Sequence, residues 1–226
     1  MTANGYFVTG TDTGVGKTLV ASALLLKMRD HGLSAVGMKP VAAGTIETPH
    51  GRSNEDVDVL ALASSVQAPA SLVNPYRFDE PVAPHIAAAD AGVCIDLHHI
   101  RHCFQWLAEQ VDAVVVEGAG GLLVPLGPGH DTRDLAVSLG LPVILVVGMR
   151  LGCINHALLT TEAISARGLT LAGWVANRID PTMRRFEENL QALGERIGAR
   201  MLGVVPHMSP PDPRRAAEAL RLPESL

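Results

Sequence analysis

Short apolar runs alternate with segments of helical spacing along the whole chain. The runs are dense in valine, isoleucine and leucine, and none alternates strictly between apolar and polar residues, which is typical of strands buried on both faces. The predicted strands cover residues 6–10, 35–39, 113–117, 142–148, 171–177 and 201–206. The predicted helices cover residues 17–31, 57–65, 97–110, 131–139, 155–167, 181–197 and 213–220. This order predicts an α/β fold with right-handed crossovers, a mostly parallel sheet and helices on both faces.

Composition and charge narrow the class of protein further. Of the 226 residues, 47% are hydrophobic and 18% are charged, which excludes disorder, collagen and coiled coil. Because no repeat, low-complexity tract or linker-like change in composition occurs, we expect residues 1–226 to form one domain. The net charge of −5, without a basic run, argues against nucleic acid as a partner.

The sequence predicts a cytoplasmic protein that does not enter a membrane. Its start leads almost directly into an apolar strand and lacks the pattern of a signal peptide. Cys94, Cys103 and Cys153 form no C-x-x-C pair, so we interpret them as free thiols in a reducing compartment. The longest charge-free apolar stretch, residues 135–149, is 15 residues long and is too short for a membrane span.

Residues 10–18, GTDTGVGKT, follow the first predicted strand and open the first predicted helix. In this context they predict a phosphate-binding loop, because glycines let several backbone N–H groups point inward at the start of a helix. Lys17 would reach the β and γ phosphates, and the Thr18 hydroxyl would take a magnesium position. The strict motif has glycine where Thr11 stands, and a plain glycine-rich turn is the alternative.

Two other kinds of glycine-rich active site do not fit. A dinucleotide-binding turn needs a third glycine, but Leu19 occupies that position after Gly14 and Gly16. A hydrolase elbow needs a G-x-S-x-G sequence, which this chain lacks.

Acidic and basic residues stand where they could complete a nucleotide site. Glu117 ends a predicted strand and precedes the glycine-rich residues 118–121, so it is either a magnesium ligand or a solvated strand-end acid. Asp56 and Asp58 lie at a helix start, where either could cap the helix or bind magnesium. Lys39 ends the second predicted strand and would hold an anionic substrate near the γ phosphate, unless it is merely solvated.

The histidine-rich residues 98–103 suggest a metal site at first sight. On a helix only His98 and His102 share a face, and no further ligand is evident, so we interpret them as a polar helix surface. Trp106 and Trp174 are expected in the core.

Several motifs together resemble the dethiobiotin synthetases, the ATP-dependent ring-closing enzymes of biotin synthesis, which have a P-loop NTPase fold. The matching segments span nearly the whole chain and keep one order. They are FVTGTDTGVGKT (7–18), KPVAAG (39–44), NPY (74–76), PHI (84–86), VEGAGG (116–121), PVILVVG (142–148), LGCINHA (151–157) and AGWVAN (172–177).

The resemblance implies a ligase that carboxylates 7,8-diaminononanoate. CO2 or bicarbonate supplies a carbamate on one amine, the carbamate attacks the γ phosphate of ATP, and the second amine closes the ring with loss of phosphate. It assigns catalysis to Thr13, Lys17 and Lys39. It assigns nucleotide binding to Thr13, Gly14, Val15, Gly16, Lys17, Thr18, Asp56, Glu117, Gly118, Gly120, Asn177 and Pro206, with Asn177 reading adenine. Among these, Thr18, Asp56 and Glu117 would hold Mg²⁺.

The resemblance also implies a homodimer in which one subunit completes the substrate site of the other. Gly152, Cys153 and Asn155, at a helix start, would receive the substrate carboxylate, with Cys153 acting through its backbone. Lys39 and Ala43 would also contact substrate, although the family often has serine at the position of Ala43. Asn155 is in addition a candidate helix cap.

The acidic metal ligand and the class of protein each have an alternative. Ungapped counting from Lys39 aligns the family's acidic ligand with Asp56, whereas the leucine spacing suits Asp58; we favour Asp56. The main alternative from another class is a partition or septum-positioning ATPase, but Asp12 stands where those proteins have a signature lysine. A cobyrinate-type amidoligase would need a glutamine-hydrolysing domain, for which the chain has no room.

Overall fold

The computed structural model describes residues 5–48 and 51–224. The described strands are β1 (Gly5–Gly10), β2 (Ala35–Met38), β3 (Val41–Ala43), β4 (Ile46–Thr48), β5 (Gly51–Ser53), β6 (Tyr76–Phe78), β7 (Ala113–Gly121), β8 (Pro125–Gly127), β9 (His130–Asp131), β10 (Val143–Gly148), β11 (Leu171–Asn177) and β12 (Met201–Val205). The described helices are α1 (Lys17–Asp30), α2 (Glu55–Ala63), α3 (Ala70–Val73), α4 (Pro84–Asp90), α5 (Leu97–Ala108), α6 (Thr132–Leu139), α7 (Cys153–Ser165), α8 (Phe186–Arg196) and α9 (Pro213–Glu218).

The long strands form one parallel sheet in the order β12-β11-β10-β1-β7-β2. β1 lies between β10 and β7, with Val8 opposite Ile144 on one side and Glu117 on the other. Parallel neighbours need a crossover of a dozen or more residues, and the helices between the strands supply it. The mostly parallel α/β sheet expected from the sequence is therefore confirmed.

The core lies on both faces of the sheet, because successive strand side chains point to opposite sides. On one face Tyr6 and Val8 pack with Leu24 of α1. On the other face Phe7 packs with Phe104 of α5 and Leu135 of α6. All of these side chains are buried. The strands read as continuous apolar runs for this reason, and helices cover both faces as expected.

Several helix starts are fixed by local side chains. Asn54 caps α2 by accepting a hydrogen bond from the N–H of Val57, and Asp96 caps α5. Asp131 and Asp134 form a reciprocal capping box at the start of α6. The cap at Asn54 matters for function because it places Asp56 in the first turn of α2.

Some expectations at element boundaries are wrong. The helix expected over 181–197 begins only at Phe186, because Arg185 takes a left-handed conformation (φ 56°) and ends the preceding turn. The helix expected from residue 155 begins at Cys153 after Gly152, so Asn155 is not its cap. β7 continues past Glu117 to Gly121. Trp106 is 40% exposed instead of buried, whereas Trp174 is fully buried as expected.

The described cysteines are all free thiols, as expected. Within residues 5–48 and 51–224, no helix has the length and apolar character that crossing a membrane requires. The expectations about the chain start and the single domain 1–226 include residues 1–4, 49–50 and 225–226, which lie outside the described residues.

Candidate active site

The phosphate loop, residues 11–16, connects the end of β1 to the start of α1. Gly14 and Gly16 both have left-handed backbone conformations, with φ of 74° and 88°. At Gly16 a Cβ would lie 2.1 Å from Nδ2 of Asn177, so glycine is required there both by conformation and by space. No described side chain caps α1, so the N–H groups of its first turn remain available to an anion.

Lys17 is the first residue of α1 and is almost completely buried. Its Nζ donates to the backbone carbonyl of Asp12 at 3.1 Å. Burial, followed by the nearby charge of Lys39, lowers the pKa of Lys17 from 10.5 to about 8. Thr13 is exposed on the same loop, and its N–H donates to the Asp12 carboxylate at 2.8 Å. The loop therefore presents a poorly solvated cation beside free helix N–H groups.

The predicted metal ligands and the second lysine meet beside this loop. The hydroxyl of Thr18 lies 2.7 Å from Oδ1 of Asp56 and 3.0 Å from Oε1 of Glu117. Nζ of Lys39 lies 2.9 Å from Oδ2 of Asp56 and 2.5 Å from Oε1 of Glu117. Asp58 instead accepts from the hydroxyl of Ser53. The structure thus brings Asp56, and not Asp58, into the cluster of Thr18, Lys39 and Glu117.

The electrostatics of this cluster follow from its burial. Burial alone lowers the pKa of Lys39, but the carboxylates of Glu117 and Asp56 outweigh it and raise that pKa above its usual range. Burial would raise the pKa of Asp56, but the charge of Lys39 and the hydroxyl of Thr18 hold it below its usual value. Lys39 and Asp56 are therefore both ionised at neutral pH. Complete burial raises the pKa of Glu117 above its usual value, although the charge of Lys39 opposes this shift.

The donor set fits a magnesium ion. Hydroxyl and carboxylate oxygens from Thr18, Asp56 and Glu117 are the hard ligands that Mg²⁺ prefers. Oε2 of Glu117 is buried and has no hydrogen-bond partner among the described residues, which is costly for a carboxylate oxygen unless something else binds it. The histidine-rich stretch is different: His99 packs edge-on against Tyr76, with ring centroids 5.8 Å apart.

The residues expected at the nucleotide base lie on the other side of the loop. Asn177 ends β11 and is buried, and its Nδ2 donates to the backbone carbonyl of Val15 at 2.8 Å. This bond ties the loop to the sheet, a role that the sequence did not reveal. Pro206 is exposed and directly follows Val205, the register partner of Asn177. Asn177 and Pro206 therefore lie at adjacent strand ends.

The remaining predicted residues surround the loop less closely. Gly118 and Gly120 lie in β7, and a Cβ on Gly120 would approach the Thr13 hydroxyl to 3.3 Å. Ala43 ends the short strand β3 and is partly buried. Gly152 has φ of 94° and starts α7, where no described side chain caps the helix; Cys153 is buried and Asn155 is exposed. The roles of these residues stay predictions.

Two residues of this site were missed at the sequence level. Asp12 on the loop forms an ion pair with Arg150, with 2.5 Å between Oδ2 and the guanidinium nitrogen. Arg150 follows β10, and β10 neighbours β1, so the strand order that brings them together was the missing signal. Asp12 also lines a cavity of about 340 Å³ whose other walls include Leu122 and Leu159.

Comparison with known proteins decides the family. A family model described as an AAA domain matches residues 4–215. The ATP-dependent dethiobiotin synthetase BioD of Aromatoleum aromaticum is 60% identical over 96% of this chain and 97% of its own length. The enzyme of the same name from a Janthinobacterium species is 50% identical over 95% of this chain and 92% of its own. The chain belongs to the dethiobiotin synthetase family. The resemblance carried by the sequence motifs is therefore confirmed.

Solved structures agree with the family on the fold. The septum site-determining protein MinD of Pyrococcus horikoshii, solved with Mg-ADP, matches with a TM-score of 0.59 over 96% of this chain and 86% of its own, at 13% identity. The MinC–MinD cell division protein complex of Aquifex aeolicus matches with a TM-score of 0.56 over 91% and 82%, at 15% identity. At such low identity these likenesses show only the shared P-loop NTPase fold.

Proposed function

We propose that this chain is a Mg²⁺- and ATP-dependent dethiobiotin synthetase. It carboxylates and cyclises 7,8-diaminononanoate with CO2 or bicarbonate, and it releases ADP and phosphate. The observation that carries the proposal is the convergence at one phosphate loop of two lysines, Lys17 and Lys39, with the oxygen donors of Thr18, Asp56 and Glu117. Residues 1–226 act as a single domain in the cytoplasm, without nucleic acid or membrane as a partner.

The chemistry needs orientation and charge neutralisation more than covalent catalysis. A carbamate is a poor electrophile, and phosphorylation turns one of its oxygens into a leaving group that the second amine can displace. Lys17 neutralises charge on the transferred phosphoryl group, while Thr13 and the loop N–H groups orient it. Thr18, Asp56 and Glu117 would hold Mg²⁺, which would supply further charge neutralisation at the phosphates. Lys39 stabilises the carbamate.

The base and phosphates of ATP fit the rest of the loop. The loop residues Gly14, Val15 and Gly16 bind phosphate through their N–H groups, and Gly118 and Gly120 leave room for the nucleotide. Asn177 and Pro206 bind adenine at the adjacent ends of β11 and β12. The buried position of Asn177, already bonded to the loop through one N–H, supports a fixed geometry for the base.

The cavity beside the loop suits the diamine. Its polar wall is formed by Thr11, Asp12 and Thr13, and its apolar wall includes Leu122 and Leu123. The substrate has two amines at one end of an aliphatic chain, so the amines face the Asp12 carboxylate and the chain covers the leucines. In this proposal the amines lie next to the phosphate loop, where the carbamate must form.

A second subunit completes the site in this proposal. Gly152, Cys153 and Asn155 of one subunit bind the substrate carboxylate of the other through the uncapped start of α7. Leu151 and Leu159 near this segment are 94% and 57% exposed, which supports a covered surface in a homodimer. Both the oligomeric state and the shared site are open to sedimentation and mixed-subunit experiments.

The deciding experiment is a coupled assay of ADP release with mass detection of dethiobiotin, in the presence of ATP, Mg²⁺, bicarbonate and diaminononanoate. We expect ADP and dethiobiotin to form in equal amounts and to require the diamine. A matched reaction without the diamine measures idle hydrolysis. ADP release that is the same in both reactions would contradict the proposal and would favour a nucleotide-driven switch.

A further inference from the structure

The acidic pair Asp56–Glu117 already holds a cation that belongs to the chain. We propose that the Lys39 ammonium is a resident counter-cation of this pair and exchanges its place with Mg²⁺. In the metal-free protein Lys39 holds both carboxylates, and it is released towards the substrate when they bind the metal. The inference rests on the proposed function for the metal site and assigns Lys39 a second state beyond the carbamate contact.

The two cations compete for the same two carboxylates. Nζ of Lys39 lies 2.9 Å from Asp56 and 2.5 Å from Glu117, so the ammonium sits between the carboxylates proposed as ligands. Thr18, the third proposed ligand, hydrogen-bonds with the same Oε1 of Glu117 at 3.0 Å. A metal bound by the same two carboxylates would lie close to the ammonium, and two neighbouring cations in a poorly solvated site repel each other strongly. Asp56 and Glu117 therefore bind either the Lys39 ammonium or the metal, but not both at once.

Burial explains why a resident cation is needed at all. The side chain of Glu117 is 1% exposed and that of Lys39 is 6% exposed. A carboxylate so deeply buried is stable only when a charge partner accompanies it. Nζ of Lys39 is such a partner, because it contacts both the Asp56 and the Glu117 carboxylate. Oε2 of Glu117, which has no described hydrogen-bond partner, is available to the incoming metal.

The backbone of Lys39 is fixed, so only its side chain has to move. The N–H of Lys39 donates to the carbonyl of Val73 at 2.8 Å, and Nδ2 of Asn74 donates to the carbonyl of Lys39 at 2.6 Å. Asn74 is buried and also donates to the carbonyl of Tyr76, which gives the NPY motif a structural purpose. A lysine side chain can swing on its four-carbon stem while its backbone stays anchored.

The test measures metal binding without nucleotide or turnover. We expect Lys39→Met to bind Mn²⁺ about tenfold or more tightly than the wild type, by electron paramagnetic resonance, because the competing cation is gone. Mg²⁺ should also restore the lowered melting temperature of Lys39→Met while leaving that of the wild type nearly unchanged. The matched control is Lys27→Met: Lys27 lies in α1, and its Nζ donates only to the carbonyl of Ala217 among the described residues.

Equal Mn²⁺ affinity in the wild type and Lys39→Met would overturn the exchange, as would a melting temperature of the variant that Mg²⁺ does not raise.

A second measurement needs no variant: a crystal structure of the wild type with Mg²⁺ and a non-hydrolysable ATP analogue. We expect Nζ of Lys39 more than about 4 Å from both carboxylates, and retention of both contacts beside a bound metal would refute the proposal. If the protein makes dethiobiotin but Lys39 keeps its contacts with both carboxylates, only the exchange is refuted. If Lys39 moves but the protein does not convert the diamine, only the proposed function is refuted.

Discussion

Two ion-pair clusters flank the phosphate loop, and they differ in burial and not in distance. The Lys39–Glu117 pair and the Arg150–Asp12 pair both have a closest contact of 2.5 Å. The first pair is 6% and 1% exposed, whereas the second is 44% and 45% exposed. Because water screens the second pair, equal distances do not mean equal energies.

The difference separates two tasks of the site. A buried pair is expensive to break, so Lys39 holds the carboxylates of Asp56 and Glu117 in place. A half-exposed pair contributes little to stability, so the Asp12 side can rearrange around an incoming amine at small cost. The rigid cluster lies on the proposed metal side and the adjustable pair lies on the proposed substrate side.

Breaking the buried cluster should destabilise the protein more than any other change considered below. Glu117→Gln leaves Lys39 with only the half-exposed Asp56, and we expect a loss of about 3 kcal/mol in the free energy of unfolding. Asp12→Asn, the matched change in the exposed pair, should cost less than about 1 kcal/mol. Urea denaturation of both variants without metal makes the comparison. Equal losses would show that burial does not decide the energies here.

The second expected effect comes from Lys17, which lies between the two clusters. Its pKa of about 8 means that the ammonium loses its proton as the pH rises above 8. Metal-free ADP affinity should therefore fall above pH 8, by a factor that approaches about ten per pH unit. Stability should change in the opposite direction: the folded pKa lies below the unfolded value, so the unfolded chain binds more protons between pH 8 and 10.5 and the free energy of unfolding rises across that window.

These opposite trends separate Lys17 from other titrating groups. Calorimetric ADP titrations and denaturation curves between pH 7 and 10 measure both, with EDTA present. Lys17→Met should abolish the pH dependence of affinity and flatten that of stability. If affinity and stability changed in the same direction in the wild type, the buried state of Lys17 would be wrong.

The third expected effect tests which aspartate serves the metal. Asp56→Asn should raise the Mg²⁺ concentration for half-maximal activity by on the order of tenfold, because one charged oxygen ligand is lost. Asp58→Asn, two residues further along the same helix, is the matched control and should change it little, since Asp58 bonds to Ser53. A larger effect of Asp58→Asn would move the proposed ligand to that residue.

Much of this site was readable from the sequence because its parts are local or periodic. The phosphate loop is contiguous, and Lys39 and Glu117 stand next to buried strands, so parallel topology alone brings them to one edge of the sheet. The strand runs were right to within a few residues for the same reason: burial on both faces gives an unmistakable apolar pattern.

The features that the sequence did not predict are short strands and helices and contacts between distant residues across the sheet. Strands β3 to β6 and helix α3 are three or four residues long, which is too short for a period to emerge. The Asp12–Arg150 pair and the bond from Asn177 to Val15 join residues more than a hundred positions apart. Such contacts follow from the order of the strands in the sheet, and the spacing of neighbouring residues in the sequence does not determine that order. Trp106 was misplaced because aromatic character alone does not tell which face of a helix is buried.

The smallest expected effect is at Arg150. Arg150→Ala should lower the free energy of unfolding by less than about 1 kcal/mol, yet raise the KM for the diamine severalfold with little change in kcat, because Asp12 is no longer held over the cavity. The matched control is Arg214→Ala, since Arg214 pairs with Asp30 at similar exposure on the remote α1–α9 surface and should leave the KM unchanged. Arg150→Lys should restore part of the loss, because an ammonium still reaches the carboxylate but without the guanidinium geometry. A stability loss as large as that of Glu117→Gln would mean that the exposed pair is as rigid as the buried one, and the division of tasks between the two sides of the loop would fail.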